Sequence, residues 1–252
     1  MKPKLVVLVV VLLLLAMVPA LAMAKTQAKP DKTVRIRIDR RLPIGPQIAA
    51  QLGAKPGAPL SNAVATAGPS SLAIQPRAVQ VLLNEGFEGA WPAGTDWWVS
   101  DYSGLGLPSW GATDFLSKRG QQSAWSSGDS YNPAYDNYEN YSYAWAEYPM
   151  DLSNATKGTV RFQFLSDTEY FFDAFLWCAS PDYIWYYCDG HTGSTNDTWR
   201  LVNMNFNNVP GYGSILGEPN AGFALILVSD SSIVDRGAFV DALRIRATGP
   251  NN

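Results

Sequence analysis

The sequence predicts an all-β fold, an antiparallel β-sandwich of the jelly-roll kind, on three observations. From residue 79 onward, short runs rich in β-branched and aromatic residues are separated by clusters of Gly, Asn, Asp, Ser and Pro, the pattern of strands joined by turns. No window of twelve or more residues carries a helical period. All 31 aromatic residues (9 Trp, 12 Tyr and 10 Phe) lie among residues 81–252, so one aromatic core is expected there, in a domain placed at residues 79–248.

What precedes that domain reads as a leader in two parts. Residues 1–24 begin Met-Lys-Pro-Lys, continue as an apolar run from Leu5 broken by Pro19, and end Ala22-Met23-Ala24. A positive start, an apolar middle and a small-x-small site make a secretory signal peptide. The chain is therefore expected to be secreted, extracellular or associated with the cell surface, and to meet a membrane only through this peptide before cleavage.

Residues 25–78 contain seven prolines, four glycines and no aromatic residue. Such a segment has little apolar surface to offset the entropy of ordering it, and it reads as a basic, flexible linker. Charge divides at the same place. Residues 25–80 carry nine Lys or Arg against two Asp, and residues 81–252 carry eight against twenty Asp or Glu. The basic cluster from Lys25 to Arg41 suits an anionic envelope surface, the chain's own acidic domain, or plain solvent. Within it Val34-Arg35-Ile36-Arg37-Ile38 alternates like a short strand. Nucleic acid is not an expected partner of an exported chain whose folded part is acidic.

The expected strands run in order over Val79–Leu83, Trp97–Ser100, Ser123–Ser126, Ser142–Tyr148, Thr159–Leu165, Phe172–Ala179, Ile184–Cys188, Trp199–Asn205, Phe223–Ser229 and Ala238–Arg246. In the fifth of these, Val160, Phe162 and Phe164 point one way and Thr159, Arg161 and Gln163 the other, as in a sheet wet on one side. Phe223 to Val228 is apolar without alternation and is expected to be central and covered on both faces.

Cys178 and Cys188, the only cysteines, end two successive expected strands with Pro181-Asp182 between them. In an exported protein such a pair is expected to form a disulfide. A zinc site would need further ligands, and His191 is the sole histidine.

No His-Glu-x-x-His, Gly-x-Ser-x-Gly or glycine-rich phosphate loop occurs. His191 lies in a turn-like Asp189-Gly190-His191-Thr192-Gly193-Ser194 run and reads as surface. No catalytic residue is assigned. The alternative is a sandwich-fold enzyme that acts on polysaccharide through an Asp/Glu pair, although no cluster of acids along one strand singles such a pair out.

Counting by twos along Gly237–Arg246 places Asp241 on the face of Phe239, Leu243 and Ile245, with Arg244 and Arg246 opposite. A carboxylate on an apolar face must be paired, protonated or metal-bound. Glu88, in Asn84-Glu85-Gly86-Phe87-Glu88-Gly89 at the domain's other end, would meet Asp241 if the terminal strands are neighbours, and the two would share an oxygen-ligated cation, most simply calcium. Pairing with an arginine such as Arg161, or capping of a turn, accounts for Asp241 equally.

A ligand platform is expected in the segment from Tyr131 to Tyr148, which has five tyrosines in its first thirteen residues and then Trp145. Tyr135, Tyr138, Tyr141 and Trp145 offer flat faces for sugar rings or a protein surface if exposed, and core if not.

Phe87-Glu88, Trp91-Pro92, Asp96-Trp97-Trp98, Ser117-Lys118-Arg119-Gly120, Ser123-Ala124-Trp125, Met150-Asp151-Leu152-Ser153, Val160–Phe164, Trp199, Val228–Ser232 and Gly237–Asp241 together resemble the MAM-like, concanavalin-type jelly-roll domains appended to secreted bacterial metallopeptidases of the immune inhibitor A type. The resemblance spans residues 83–246. It implies a non-catalytic domain with a structural calcium on the residues matching Glu88 and Asp241; where the family often has Asp-Asp-Ile, this chain has Asp241-Ala242-Leu243. The function expected is a recognition or adhesion module for extracellular glycan or protein, or an accessory partner of a secreted peptidase.

Overall fold

The computed structural model describes residues 29, 31–42, 44–52, 77–128 and 131–250. The expected signal peptide lies outside the described residues, as does much of the expected linker. Among the described residues no helix is long and apolar enough to cross a membrane.

Among the described residues, twelve strands and one helix make an antiparallel β-sandwich. They are β1 (Asp31–Asp39), α1 (Ile44–Leu52), β2 (Arg77–Glu85), β3 (Trp98–Asp101), β4 (Gly111–Thr113), β5 (Ser123–Trp125), β6 (Tyr143–Met150), β7 (Lys157–Asp167), β8 (Ala174–Ser180), β9 (Trp185–Gly193), β10 (Arg200–Asn205), β11 (Ala221–Val228) and β12 (Gly237–Pro250). One sheet has the order β1-β9-β8-β11-β6-β3; the other runs β10-β7-β12-β5-β4, with β2 also on β12. Each expected strand coincides with an observed one. The three-residue β4 is an addition, too short to carry a period.

The main core lies between the sheets. Phe162 and Phe164 of β7, Phe175 and Trp177 of β8, Phe223 and Leu225 of β11, and Leu243 and Ile245 of β12 meet there. The alternation of β7 is as expected, with Val160, Phe162 and Phe164 buried and Arg161 exposed. Every residue of β11 is buried. Phe223, Leu225 and Leu227 face the other sheet, while Ala224, Ile226 and Val228 belong to a second core on the outer face of their own sheet.

That second core corrects the linker expectation. Residues 31–42 and 44–52 are not a free tether: β1 pairs with β9 from Asp31↔Gly193 to Asp39↔Trp185. Ile36 and Ile38 of β1 and Ile48 and Leu52 of α1 are buried against Trp145, Leu176, Tyr186 and Ile226. The segment lacks aromatic residues, but it docks its four aliphatic side chains on a face that supplies Trp145 and Tyr186, so apolar burial offsets the cost of ordering it. Pro46 is compatible with the helix because it sits in the first turn, where backbone N–H groups have no intrahelical acceptor. The basic cluster meets the chain's own acidic domain: Arg35–Asp189 at 2.7 Å, Arg40–Glu147 at 2.9 Å, and Lys29 to Asp167 and Asp235 at 3.0 and 3.1 Å.

Cys178 and Cys188 form the expected disulfide, directly opposite each other on β8 and β9 with Cα atoms 4.0 Å apart. Both are buried in the second core, so the bridge ties the hairpin on which β1 is laid.

Candidate functional site

The terminal strands β2 and β12 do lie side by side, from Leu243↔Glu85 to Pro250↔Arg77. Beyond β2, Phe87 turns back into the core with φ 59° and is fully buried, which leaves Glu88 at the surface beside β12. A β-bulge between Asp241 and Arg244, with Ala242 at φ 53°, shifts the register of β12 against β7. This corrects the count by twos. Asp241 shares its face with Phe239, but the bulge turns Leu243 and Ile245 into the main core and sends Arg244 and Arg246 to the outer face. An extra residue in one strand inverts the alternation that follows it.

Asp241 is fully buried although it points to that outer face, because the loop of residues 117–122 covers it. Its Oδ2 accepts the backbone N–H groups of Lys118 at 2.6 Å and Arg119 at 2.7 Å, and its Oδ1 accepts that of Ala242. Glu88 Oε1 accepts the N–H groups of Gln121 at 2.9 Å and Gln122 at 3.3 Å. A Cβ on Gly120, at φ +67°, would meet Glu88 Oε1, so a larger residue there would have to displace the Glu88 carboxylate from its N–H donors. Glu88 and Asp241 are thus brought to one loop, as expected, and what meets them there is backbone N–H. Burial, and secondarily the charge of Glu88, pushes the Asp241 carboxyl upward, while the three N–H groups oppose the shift.

From this point an open groove of about 580 Å³ runs over the outer face of β2, β12, β7 and β10. Glu85, Glu88 and Asp241 line it together with Arg119, Arg161, Arg244 and Arg246. Asn84, Gln163 and Asn203 add amides. The sequence carried part of this signal, since Arg161, Gln163, Arg244 and Arg246 all fall on polar faces of expected strands. That the two faces are one surface required the pairing Arg244↔Arg161 across β12 and β7.

The tyrosine-rich segment splits. Tyr135 is 89% exposed and Tyr141 51%, and neither lines the groove. Tyr138 and Trp145 are buried and cannot present a face to a ligand. Tyr138 donates its hydroxyl hydrogen to Asp173 Oδ2 at 2.5 Å and accepts the N–H of Glu169 at 3.1 Å. Trp145 alternates outward from β6 into the second core, edge-on to Tyr186 at 4.8 Å and to Tyr102 at 5.1 Å. The covering by β1 and α1, which no local pattern around Trp145 encodes, is what buries it.

A second acidic group was not anticipated. Glu169, Asp173 and Asp230 each offer a carboxylate oxygen, all within 4.8 Å of one another, an arrangement that could hold a metal ion. The Asp173 carboxyl is pushed up to about 7, first by burial and further by the charges of Asp230 and Glu169, against the Tyr138 hydroxyl and the Asp230 N–H that favour its charged form. Glu169 and Asp173 lie four residues apart in the β7–β8 connection, but Asp230 follows β11 far along the chain, so no local spacing signals all three.

His191 is not a surface turn residue. It lies in β9, 2% exposed, against Phe164 at 5.5 Å. Its Nε2 is 3.3 Å from the Arg200 guanidinium, a donor that occupies the lone pair a general base would use.

No protein-family model matches the chain, and no curated protein matches it in sequence. Among solved structures, it is similar to the K3 cleaved adhesin domain of Lys-gingipain from Porphyromonas gingivalis, with a TM-score of 0.48 and 15% identity over 66% of this chain and 99% of that one. The K1 cleaved adhesin domain of the same protein gives 0.46 and 15%, over 69% and 99%. A carbohydrate-binding module solved in complex with β-1,4-galactotriose gives 0.40 and 14%, over 64% and 92%.

Proposed function

We propose that this chain is an exported, non-catalytic recognition module that binds glycan or protein at a cell surface. The observation that carries the reading is the groove across β2, β12, β7 and β10, a solvent-open, amide- and charge-lined surface on the outer side of a sheet whose inner side is core. Its most buried acid, Asp241, spends its lone pairs on the loop's N–H groups rather than facing a substrate, which favours binding over an acid–base pair. Export accords with the buried disulfide. The resemblance to MAM-like domains belongs to this proposal, as does service as an accessory partner of a secreted peptidase.

A structural calcium is part of the same reading, and we place it at Glu169, Asp173 and Asp230 rather than at Glu88 and Asp241. Oxygen donors suit a hard cation, and here one oxygen from each of three carboxylates lies within 4.8 Å of the others, a grouping that Glu88 and Asp241 do not make among the described residues. Unfolding midpoints measured in calcium and in chelator test it: a higher midpoint in calcium that Asp173→Asn abolishes is expected, and equal midpoints would remove the metal from the proposal.

The function is tested by presenting the purified chain to immobilised polysaccharides and assaying reducing ends. Retention without turnover is expected. Release of reducing ends would establish the polysaccharide-cleaving alternative instead.

A further inference from the structure

We infer that the groove on the outer face of β2, β12, β7 and β10 recognises an anionic glycan, one bearing carboxylate or sulfate groups, through a cross-strand arginine ladder. This rests on the binding-module reading above and names its ligand class. The ladder follows from register. Asn84 of β2 is opposite Arg244 of β12, Arg244 is opposite Arg161 of β7, and Arg161 is opposite Asn203 of β10. Directly paired residues project to the same face, and strands lie about 4.8 Å apart, so two guanidinium side chains stand side by side. Arg246 is displaced by two residues along the same face, and Arg119 reaches the groove from the loop over Asp241.

Like charges directly opposite each other destabilise a sheet, and among the described residues neither arginine has a carboxylate within ion-pair distance, although Glu85, Glu88 and Asp241 line the same groove. Among the described residues, Arg119, Arg161 and Arg246 have no side-chain hydrogen bond or ion pair, and Arg244 donates through Nε to the neutral Asn84 Oδ1 at 2.8 Å. The contrast is internal to the protein. Arg35, Arg40, Arg41 and Arg236 each sit within 4.0 Å of a carboxylate. Residues 81–252 hold only eight basic residues against twenty acids, and four of the eight line this groove without an ion pair. A row of arginines without ion-pair partners is what an anionic ligand would complete.

The remaining groups choose among anions. Guanidinium forks match carboxylate and sulfate oxygens in pairs. Asn84, Gln163 and Asn203 both donate and accept, and Glu85 and Glu88 accept, which suits the hydroxyl groups of sugar rings.

The test uses the full chain in affinity electrophoresis and calorimetry against polygalacturonate, dextran sulfate and neutral dextran. Binding to one or both charged polymers is expected, the two arms separating carboxylate from sulfate, with affinity that falls as salt rises and no comparable binding to dextran. Arg161→Gln/Arg246→Gln is expected to weaken binding at least tenfold with its unfolding midpoint unchanged or raised, since a like-charge contact is relieved. The charge-matched Lys32→Gln/Arg35→Gln variant, altered on β1 away from the groove, is expected to bind as the parent does. Equal loss in both variants, or none in the first, would overturn the ladder as the site. Preference for neutral dextran would overturn the anionic class while sparing the binding-module reading. Failure to retain any polysaccharide would overturn the anionic-glycan proposal and the glycan-binding form of the module reading, leaving only its protein-binding form.

Discussion

The side-chain amide of Gln51 holds both backbone polar groups of Arg37, accepting its N–H at 2.9 Å and donating to its C=O at 2.8 Å. One helical turn earlier, Gln47 does the same for Asp39, at 2.8 and 2.9 Å. Two glutamines four apart on α1 thus occupy the free edge of β1 as a further strand would. An open edge with unpaired N–H and C=O groups is a template for association. Replacing both by alanine removes four hydrogen bonds worth roughly 1 kcal/mol each. The expected outcome is a stability loss of about 2–4 kcal/mol by chemical denaturation, with concentration-dependent oligomers in gel filtration that the parent does not form.

Arg40 closes the same docking. Its guanidinium lies 4.8 Å from the Trp98 ring and 5.5 Å from that of Trp145, donates to Tyr102 Oη at 2.6 Å, and pairs with Glu147 at 2.9 Å. Burial holds the Glu147 carboxyl above its ordinary range, and the Tyr186 hydroxyl and Arg40 oppose that shift. Arg40→Gln leaves a buried carboxylate without its counter-charge, a change that costs about 3–5 kcal/mol. Denaturation should show that loss together with altered tryptophan fluorescence. An unchanged midpoint would mean that β1 docks without Arg40.

Asp173 makes stability depend on pH. Its carboxyl ionises at about 7 in the fold against an ordinary 3.8, because it is buried beside Asp230 and Glu169. The raised value means that its contribution to stability is complete below about pH 4 and is lost as pH rises through about 7. With chelator present, thermal midpoints of the parent should fall across that window, and those of Asp173→Asn should fall less.

The disulfide contributes through the unfolded state. Cys178 and Cys188 are ten residues apart, and closing a loop of that size stabilises by about 3 kcal/mol on the chain-entropy model. The Cys178→Ala/Cys188→Ala variant should lose a comparable amount in equilibrium denaturation, with the strand pairing otherwise kept.

Glu88 depends on a position without a side chain. Gly120→Ala would put a Cβ 1.9 Å from Glu88 Oε1 at φ +67°, so the loop must move or the carboxylate must leave its N–H donors. A stability loss of about 1–3 kcal/mol is expected, read by denaturation, and Glu88→Ala introduced beside it should recover part of the loss.

The sequence by itself determined the strand segments, the disulfide partners, the doubly covered β11 and the absence of recognised catalytic motifs, because each is written in local alternation, turn residues or residue counts. It also placed Glu88 near Asp241, through the habit of terminal strands to be neighbours. Tertiary structure alone decided the rest. The bulge at Ala242 inverted the faces of β12 and gathered Arg161, Arg244 and Arg246 into one surface. The docking of residues 31–42 and 44–52 turned an expected linker into part of the sandwich and took Trp145 inside, and the Asp173 contact did the same for Tyr138. The reason is common to these cases: burial and register depend on which distant segment lies opposite a residue, and a period read along one strand carries no information about its neighbour.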